Sequence, residues 1–72
     1  MSYVYNWKLS DGGLMVVEYC FSKLDKVLKV VEMNLNGKHH QINWMSHEGR
    51  DELMGLLITD YNSYASNNKI YK

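Results

Sequence analysis

Residues 2–21 read Ser2-Tyr3-Val4-Tyr5-Asn6-Trp7-Lys8-Leu9-Ser10-Asp11-Gly12-Gly13-Leu14-Met15-Val16-Val17-Glu18-Tyr19-Cys20-Phe21, and this stretch decides the fold. Tyr3, Tyr5, Trp7 and Leu9 alternate with Ser2, Val4, Asn6 and Lys8, a side-chain period of two that belongs to a strand. After Asp11-Gly12-Gly13 the alternation resumes as Met15, Val17, Tyr19 and Phe21. A three-residue turn there pairs Leu9 with Met15, Trp7 with Val17, Tyr5 with Tyr19 and Tyr3 with Phe21. One face of the resulting ribbon is large and apolar, which is what a second layer must cover.

The same pattern continues beyond this hairpin. Asn36-Gly37 separates Val27–Leu35 from Lys38–Met45, and Asn-Gly is the favoured pair for a two-residue type I′ turn. The register that follows sets Leu35 opposite Lys38, Met33 opposite His40, Val31 opposite Ile42 and Lys29 opposite Trp44. The connection Ser22-Lys23-Leu24-Asp25-Lys26 holds no glycine, so its length is inferred from facing. Keeping odd-numbered residues on one face leaves a loop of three residues or five. The three-residue loop sets Glu18 against Glu32, a like-charge pair that costs stability, so the five-residue loop with Glu18 opposite Val30 is preferred.

After Met45 the apolar period becomes helical. Ser46 suits the N-cap, and Glu48, Asp51 and Glu52 lie near the positive end of the helix dipole. Gly49 and Gly55 each weaken the helix by up to about 1 kcal/mol. The reading is therefore one α+β domain over residues 1–72, with strands at 2–9, 14–22, 27–35 and 38–45. A helix at 47–65 follows, then a tail at 66–72, giving the order β-β-β-β-α with the helix packed on the face that holds Trp7, Val17, Val31 and Ile42.

Size and charge narrow the function classes. Ordering 72 residues costs about 100 kcal/mol at roughly 1.5 kcal/mol each. A chain this short buries only about 60% of its unfolded surface, and Cys20 is the single cysteine, so no disulfide helps. Oligomerisation is the usual remedy, and a homodimer is expected. Eight Lys and Arg balance eight Asp and Glu, whereas a nucleic-acid binder of this size normally carries a basic excess. No signal peptide is visible, and the longest apolar stretch, Leu14–Phe21, is interrupted by Glu18 and too short to span a bilayer. A lone cysteine and no export signal point to a reducing cytoplasm. Frequent Asn, Lys, Tyr and Ile, all with AT-rich codons, point to a bacterial or phage source.

Catalysis and metal binding find little support. His39 and His40 are neighbours in a strand and face opposite ways, so they cannot chelate one metal together, and no metal or cofactor is expected. Cys20 has neither a fixed His partner nor a helix N-terminus to activate it. Glu48, Asp51 and Glu52 imitate paired catalytic carboxylates, but the helix dipole accounts for them. No phosphate loop, triad or zinc motif occurs, and the chain reads as a non-enzyme.

The informative surplus is apolar. On a helical wheel Leu56, Leu53, Tyr64, Leu57, Tyr61, Met54, Ala65 and Ile58 span roughly 200°, whereas covering one sheet takes a stripe of little more than about 100°. Asp60 falls inside that arc and needs either solvent or a donor. Behind the sheet, Val4, Val16, Cys20, Leu28 and Val30 form an expected apolar island. Both surpluses point to a covering partner. Met54, Ile58, Tyr61 and Ala65 are the candidate protein-binding or dimer contacts, with Glu48, Asp51 and Glu52 steering a basic partner. The function expected is a small protein-interaction module, in concrete form a phage or mobile-element accessory protein that inhibits a host protein.

Four antiparallel strands followed by a helix also resembles, in element order over most of the chain, the transcriptional-coactivator family of single-strand-binding proteins. That resemblance implies dimerisation through the helix and binding of single-stranded nucleic acid on the sheet. Six Tyr and two Trp are a stock of aromatics able to stack on bases, but Tyr3, Tyr5, Trp7, Tyr19 and Trp44 fall on the expected core face. Nucleic-acid binding is the alternative reading.

Overall fold

A computed structural model describes residues 2–65. Strands β1 (Ser2–Lys8), β2 (Leu14–Ser22), β3 (Val27–Leu35) and β4 (Lys38–His40) form one antiparallel sheet in the order β1-β2-β3-β4. A single 3₁₀ turn, Ile42–Trp44, leads to helix α1 (His47–Tyr64). The β-β-β-β-α fold read from the sequence is the fold observed. The tail expected at 66–72 lies outside the described residues.

The first turn closes one residue earlier than expected. Gly12 N–H donates to the Leu9 carbonyl at 3.1 Å, Leu9 N–H donates to the Gly13 carbonyl at 2.8 Å, and Gly12 takes φ +92°. Ser10-Asp11-Gly12 is thus the three-residue turn, with glycine in the left-handed position such a loop demands. The Asp11 carboxylate accepts from Gly13 N–H at 2.8 Å. The strands consequently pair Tyr3 with Tyr19, Tyr5 with Val17 and Trp7 with Met15, two residues from the expected register. A slip of two preserves every side chain's face, so the apolar side survives. At the other end Asn36 and Gly37 take φ +50° and +87°, as a type I′ turn requires, and Leu35–Lys38 and Met33–His40 pair as the sequence indicates.

The middle of the sheet departs more. Ser22 pairs with Val27, so the β2–β3 loop has four residues, Lys23–Lys26, with Lys26 at φ +57° and its N–H bonded to the Ser22 carbonyl at 2.7 Å. An even-length loop inverts the facing of β3 and sends Leu28 and Val30 toward the core. A bulge then restores it: Tyr19 pairs with Val30 and Glu18 with Glu32, which leaves Val31 out of the ladder. Core-facing residues of β3 are therefore Leu28, Val30, Met33 and Leu35, spaced two, three and two. Three expectations fall with this. Glu18 faces Glu32 rather than Val30. Val31 is 55% exposed rather than core, and Leu28, at 5%, is core rather than part of an island behind the sheet.

Strand β4 stops at His40, not Met45. The backbone turns away at Gln41, where Trp44 N–H bonds the Gln41 carbonyl at 3.0 Å and Met45 N–H bonds the Ile42 carbonyl at 3.2 Å. Trp44 therefore never reaches Lys29. Helix α1 begins as expected, with the Ser46 hydroxyl accepting from Gly49 N–H at 3.1 Å. The core comprises Met15, Val17, Tyr19, Leu28 and Met33 from the sheet and Leu53, Leu57 and Tyr61 from the helix. The last three are spaced by four, one face of a helix laid on one face of a sheet.

Candidate binding site

The wide apolar arc of α1 is consumed largely within the chain. Tyr61 is only 4% exposed and stacks on Phe21 at 5.3 Å between ring centroids. Met54, Ile58 and Ala65 are half-buried against the core. Tyr3 explains why the helix needs no second sheet: it stacks on Tyr19 at 5.5 Å and on Tyr64 at 5.4 Å, and meets Tyr61 edge-on at 5.6 Å. Aromatic side chains reach up from the sheet and cover the flank of the helix that a Val or Ala could not. Tyr61 is thus a core residue, not an accessible contact. Asp60 has found its donor in the same cluster, the Tyr19 hydroxyl. Burial, first, and the neighbouring Asp60 carboxylate push the Tyr19 hydroxyl well above the usual phenol range, because both disfavour a second negative charge there.

Among the described residues the back of the sheet holds no contiguous apolar island. Asn6 and Asn34 flank Val16, Val4 lies beside Glu18, and Cys20 lies between Ser2 and Lys29. Glu18 lies opposite Glu32, and His39 Nδ1 is 3.5 Å from Glu32 Oε1. The sheet aromatics Tyr3, Tyr5, Trp7, Tyr19 and Phe21 all lie on the helix-covered side, in the core or packed against it. No aromatic platform faces outward from the open side among the described residues.

Apolar surface remains at the end of the molecule where the β1–β2 hairpin meets the entry to α1. Trp7, Leu9 and Met15 form one wall of a cleft, and Trp44, Met45, Ser46 and Gly49 form the other, enclosing about 270 Å³. The 3₁₀ turn makes this cleft by lifting Trp44 out of the sheet and laying it over His40, ring centroids 4.1 Å apart. Trp44 is nevertheless 54% exposed. Gly49 shapes the floor, since a Cβ there would come within 3.3 Å of Met45 Cε and of Ser46 Oγ. A polar depression adjoins it, lined by Trp7, Lys8, Leu9, Ser10, Asp11 and Glu52. Of the three candidate steering acids, Glu52 stands at this rim, while Glu48 and Asp51 are exposed elsewhere on the first turns of α1.

The cleft is not legible in the sequence because the alternation from His39 to Trp44 is compatible with a strand, which carries β4 through Trp44. The available signal was Trp44 standing just ahead of a glycine-bearing helix start. His39, His40 and His47 do not converge. Among the described residues no group of three or more His, Cys, Asp or Glu is placed to hold a metal, and no helix is long and apolar enough to cross a membrane. Compared with family models, curated proteins and solved structures, the chain shows no match.

Proposed function

We propose that this chain is a small non-catalytic module that binds another protein by receiving an apolar side chain between Trp7 and Trp44. The observation that carries this reading is the cleft itself: it is lined mostly by apolar groups, and one wall is a tryptophan more than half exposed. Tryptophan is the residue most enriched among those that dominate binding energy, because it buries a large rigid area at small entropic cost. At about 270 Å³ the cleft is smaller than the roughly 300–1,000 Å³ typical of small-molecule sites and suits a single anchoring side chain better. Asp11 and Glu52 on the adjoining rim favour a partner with basic residues beside its anchor. The lone Cys20 fits a reducing cytoplasm. A phage or mobile-element accessory protein that inhibits a host factor is the concrete form of the proposal.

The test compares wild type with Trp44→Ser as bait in bacterial lysate. Trp44 is outside the buried core, so the variant keeps the fold. A protein retained by wild type and lost from the variant supports the cleft, whereas equal retention by both removes Trp44 from the interface.

A further inference from the structure

The outer edge of β1 carries a second kind of recognition. Both backbone groups of Leu9 turn toward β2, its N–H to the Gly13 carbonyl and its carbonyl to Gly12 N–H. Antiparallel alternation turns those of Trp7, Tyr5 and Tyr3 the same way. The N–H and C=O groups of Ser2, Val4, Asn6 and Lys8 therefore point away from the sheet, since β1 is an edge strand. Such edges are normally blunted by brevity, proline, a bulge or a central charge. The opposite edge obeys this: β4 has three residues and begins with Lys38. β1 does not. It runs seven residues without proline, its pairing with β2 has no bulge, and its only charge is the terminal Lys8.

We propose that β1 pairs antiparallel with β1 of a second copy about a two-fold axis at Tyr5, joining two sheets into one. This register uses the whole strand. Ser2 lies opposite the partner's Lys8 and Val4 opposite the partner's Asn6, each pair exchanging two hydrogen bonds, so every outward backbone group is satisfied. On the helix side Tyr3 faces the partner's Trp7 and Tyr5 faces the partner's Tyr5, which are the aromatic cross-strand pairs that stabilise sheets. No like charges meet, because Lys8 faces a serine. A second copy is the occupant indicated because the strand is complementary to itself, in charge and in side-chain size, about its own midpoint. The axis stands perpendicular to the joined sheet, so both helices lie on one side, and α1 takes no part in the contact. This differs from a dimer built on Met54, Ile58, Tyr61 and Ala65, and it does not depend on the Trp44 cleft.

Sedimentation of the full chain over a range of concentrations should show the mass doubling. Val4 and Asn6 are exposed, so the double substitution Val4→Lys with Asn6→Lys leaves the fold intact while placing lysines opposite each other in this register. It should be monomeric at concentrations where wild type is dimeric. The counterpart carrying glutamate at both positions should also be monomeric alone, and an equimolar mixture of the two should regain the doubled mass. Amide exchange at Val4 and Asn6 should slow with rising wild-type concentration. A wild type that stays monomeric at all concentrations, a dimer unaffected by the lysines, or charged variants that fail to combine would each overturn the proposal. So would concentration-independent protection of these two amides in a monomer, which would mean that the edge is closed within one chain.

Discussion

Replacing Tyr19 by phenylalanine removes one oxygen from the middle of the protein and leaves every ring contact in place. The ring is fully buried, stacked on Tyr3, and its hydroxyl donates to the Asp60 carboxylate. A hydrogen bond to a charged acceptor contributes about 1.5–3 kcal/mol, and the Asp60 carboxylate, half-buried in the helix flank, loses that donor in the variant. Tyr19→Phe should therefore cost about 2 kcal/mol, which for a domain of this size lowers Tm by roughly 8–16 °C. Urea unfolding followed by circular dichroism measures it directly. The slope with urea should remain unchanged, because the surface exposed on unfolding is the same. Removing both partners is the control: Tyr19→Phe with Asp60→Leu should recover part of the loss, since no unpaired carboxylate remains.

The same bond has a pH signature. The folded state raises the Tyr19 pKa above its unfolded value near 10, so folding favours the neutral hydroxyl. Its contribution is complete below about pH 10 and is lost progressively as the pH rises beyond it, because the unfolded chain releases that proton first. Wild type should lose stability above about pH 10 more steeply than Tyr19→Phe, which has no proton to release there. A Tyr19→Phe variant within about 0.5 kcal/mol of wild type, with a parallel alkaline profile, would refute the reasoning and mean that solvent reaches Asp60 in its place.

The bulge in β3 makes a paired forecast: Val31→Lys should change stability by less than about 0.5 kcal/mol, while Leu28→Ala should cost about 2–4 kcal/mol, both read by thermal unfolding. An unbroken strand with odd residues inward would reverse that order. Gly12→Ala forces a side chain into φ +92° and should cost about 1 kcal/mol or more, although the space there is open. Ser46→Ala removes the hydroxyl that accepts from Gly49 and should lower stability by about 1 kcal/mol in urea titrations. Fluorescence anisotropy with labelled single-stranded oligonucleotide should show no binding even at low salt, since among the described residues the open sheet face carries no stacking aromatics and the chain has no net charge.

Element types and order were readable because three local signals are physically unambiguous: period-two alternation in β1 and β2, Asn36-Gly37, and the Ser46 cap before a helical stripe. The core of α1 was readable for the same reason. What escaped was parity in β3. A strand that keeps its facing from end to end allows only odd loops here, Leu24–Lys26 or Ser22–Lys26. The chain instead combines a four-residue loop, held by Lys26 in the left-handed region without a glycine, with a bulge at Val31. The loop alone would bury Leu28 and Val30 but turn Met33 and Leu35 outward, and the bulge brings these back. Nothing in the types of Lys26 or Val31 announces either, because a bulge is selected by the tertiary need to bury Leu28 and Met33 on one side.

That combination also changes where unsatisfied surface lies. A regular β3 with odd residues inward puts Leu28 and Val30 behind the sheet and leaves part of α1 uncovered, which places a partner on the broad faces. With the four-residue loop those residues enter the core, the bulge keeps Met33 and Leu35 there with them, and Tyr3, Tyr19 and Phe21 clothe the flank of α1. Unmet recognition potential then moves to the margins. It takes two separable forms: an apolar cleft at Trp7 and Trp44, and a row of outward backbone groups along β1 that no strand pairs among the described residues. They meet only at Trp7, whose side chain lines the cleft and faces the partner's Tyr3 across the proposed seam, while its backbone turns inward to β2. Trp44→Ser should therefore abolish partner capture without altering mass, and Val4→Lys with Asn6→Lys should alter mass without emptying the cleft. Loss of both properties from either variant would mean that the two sites are one.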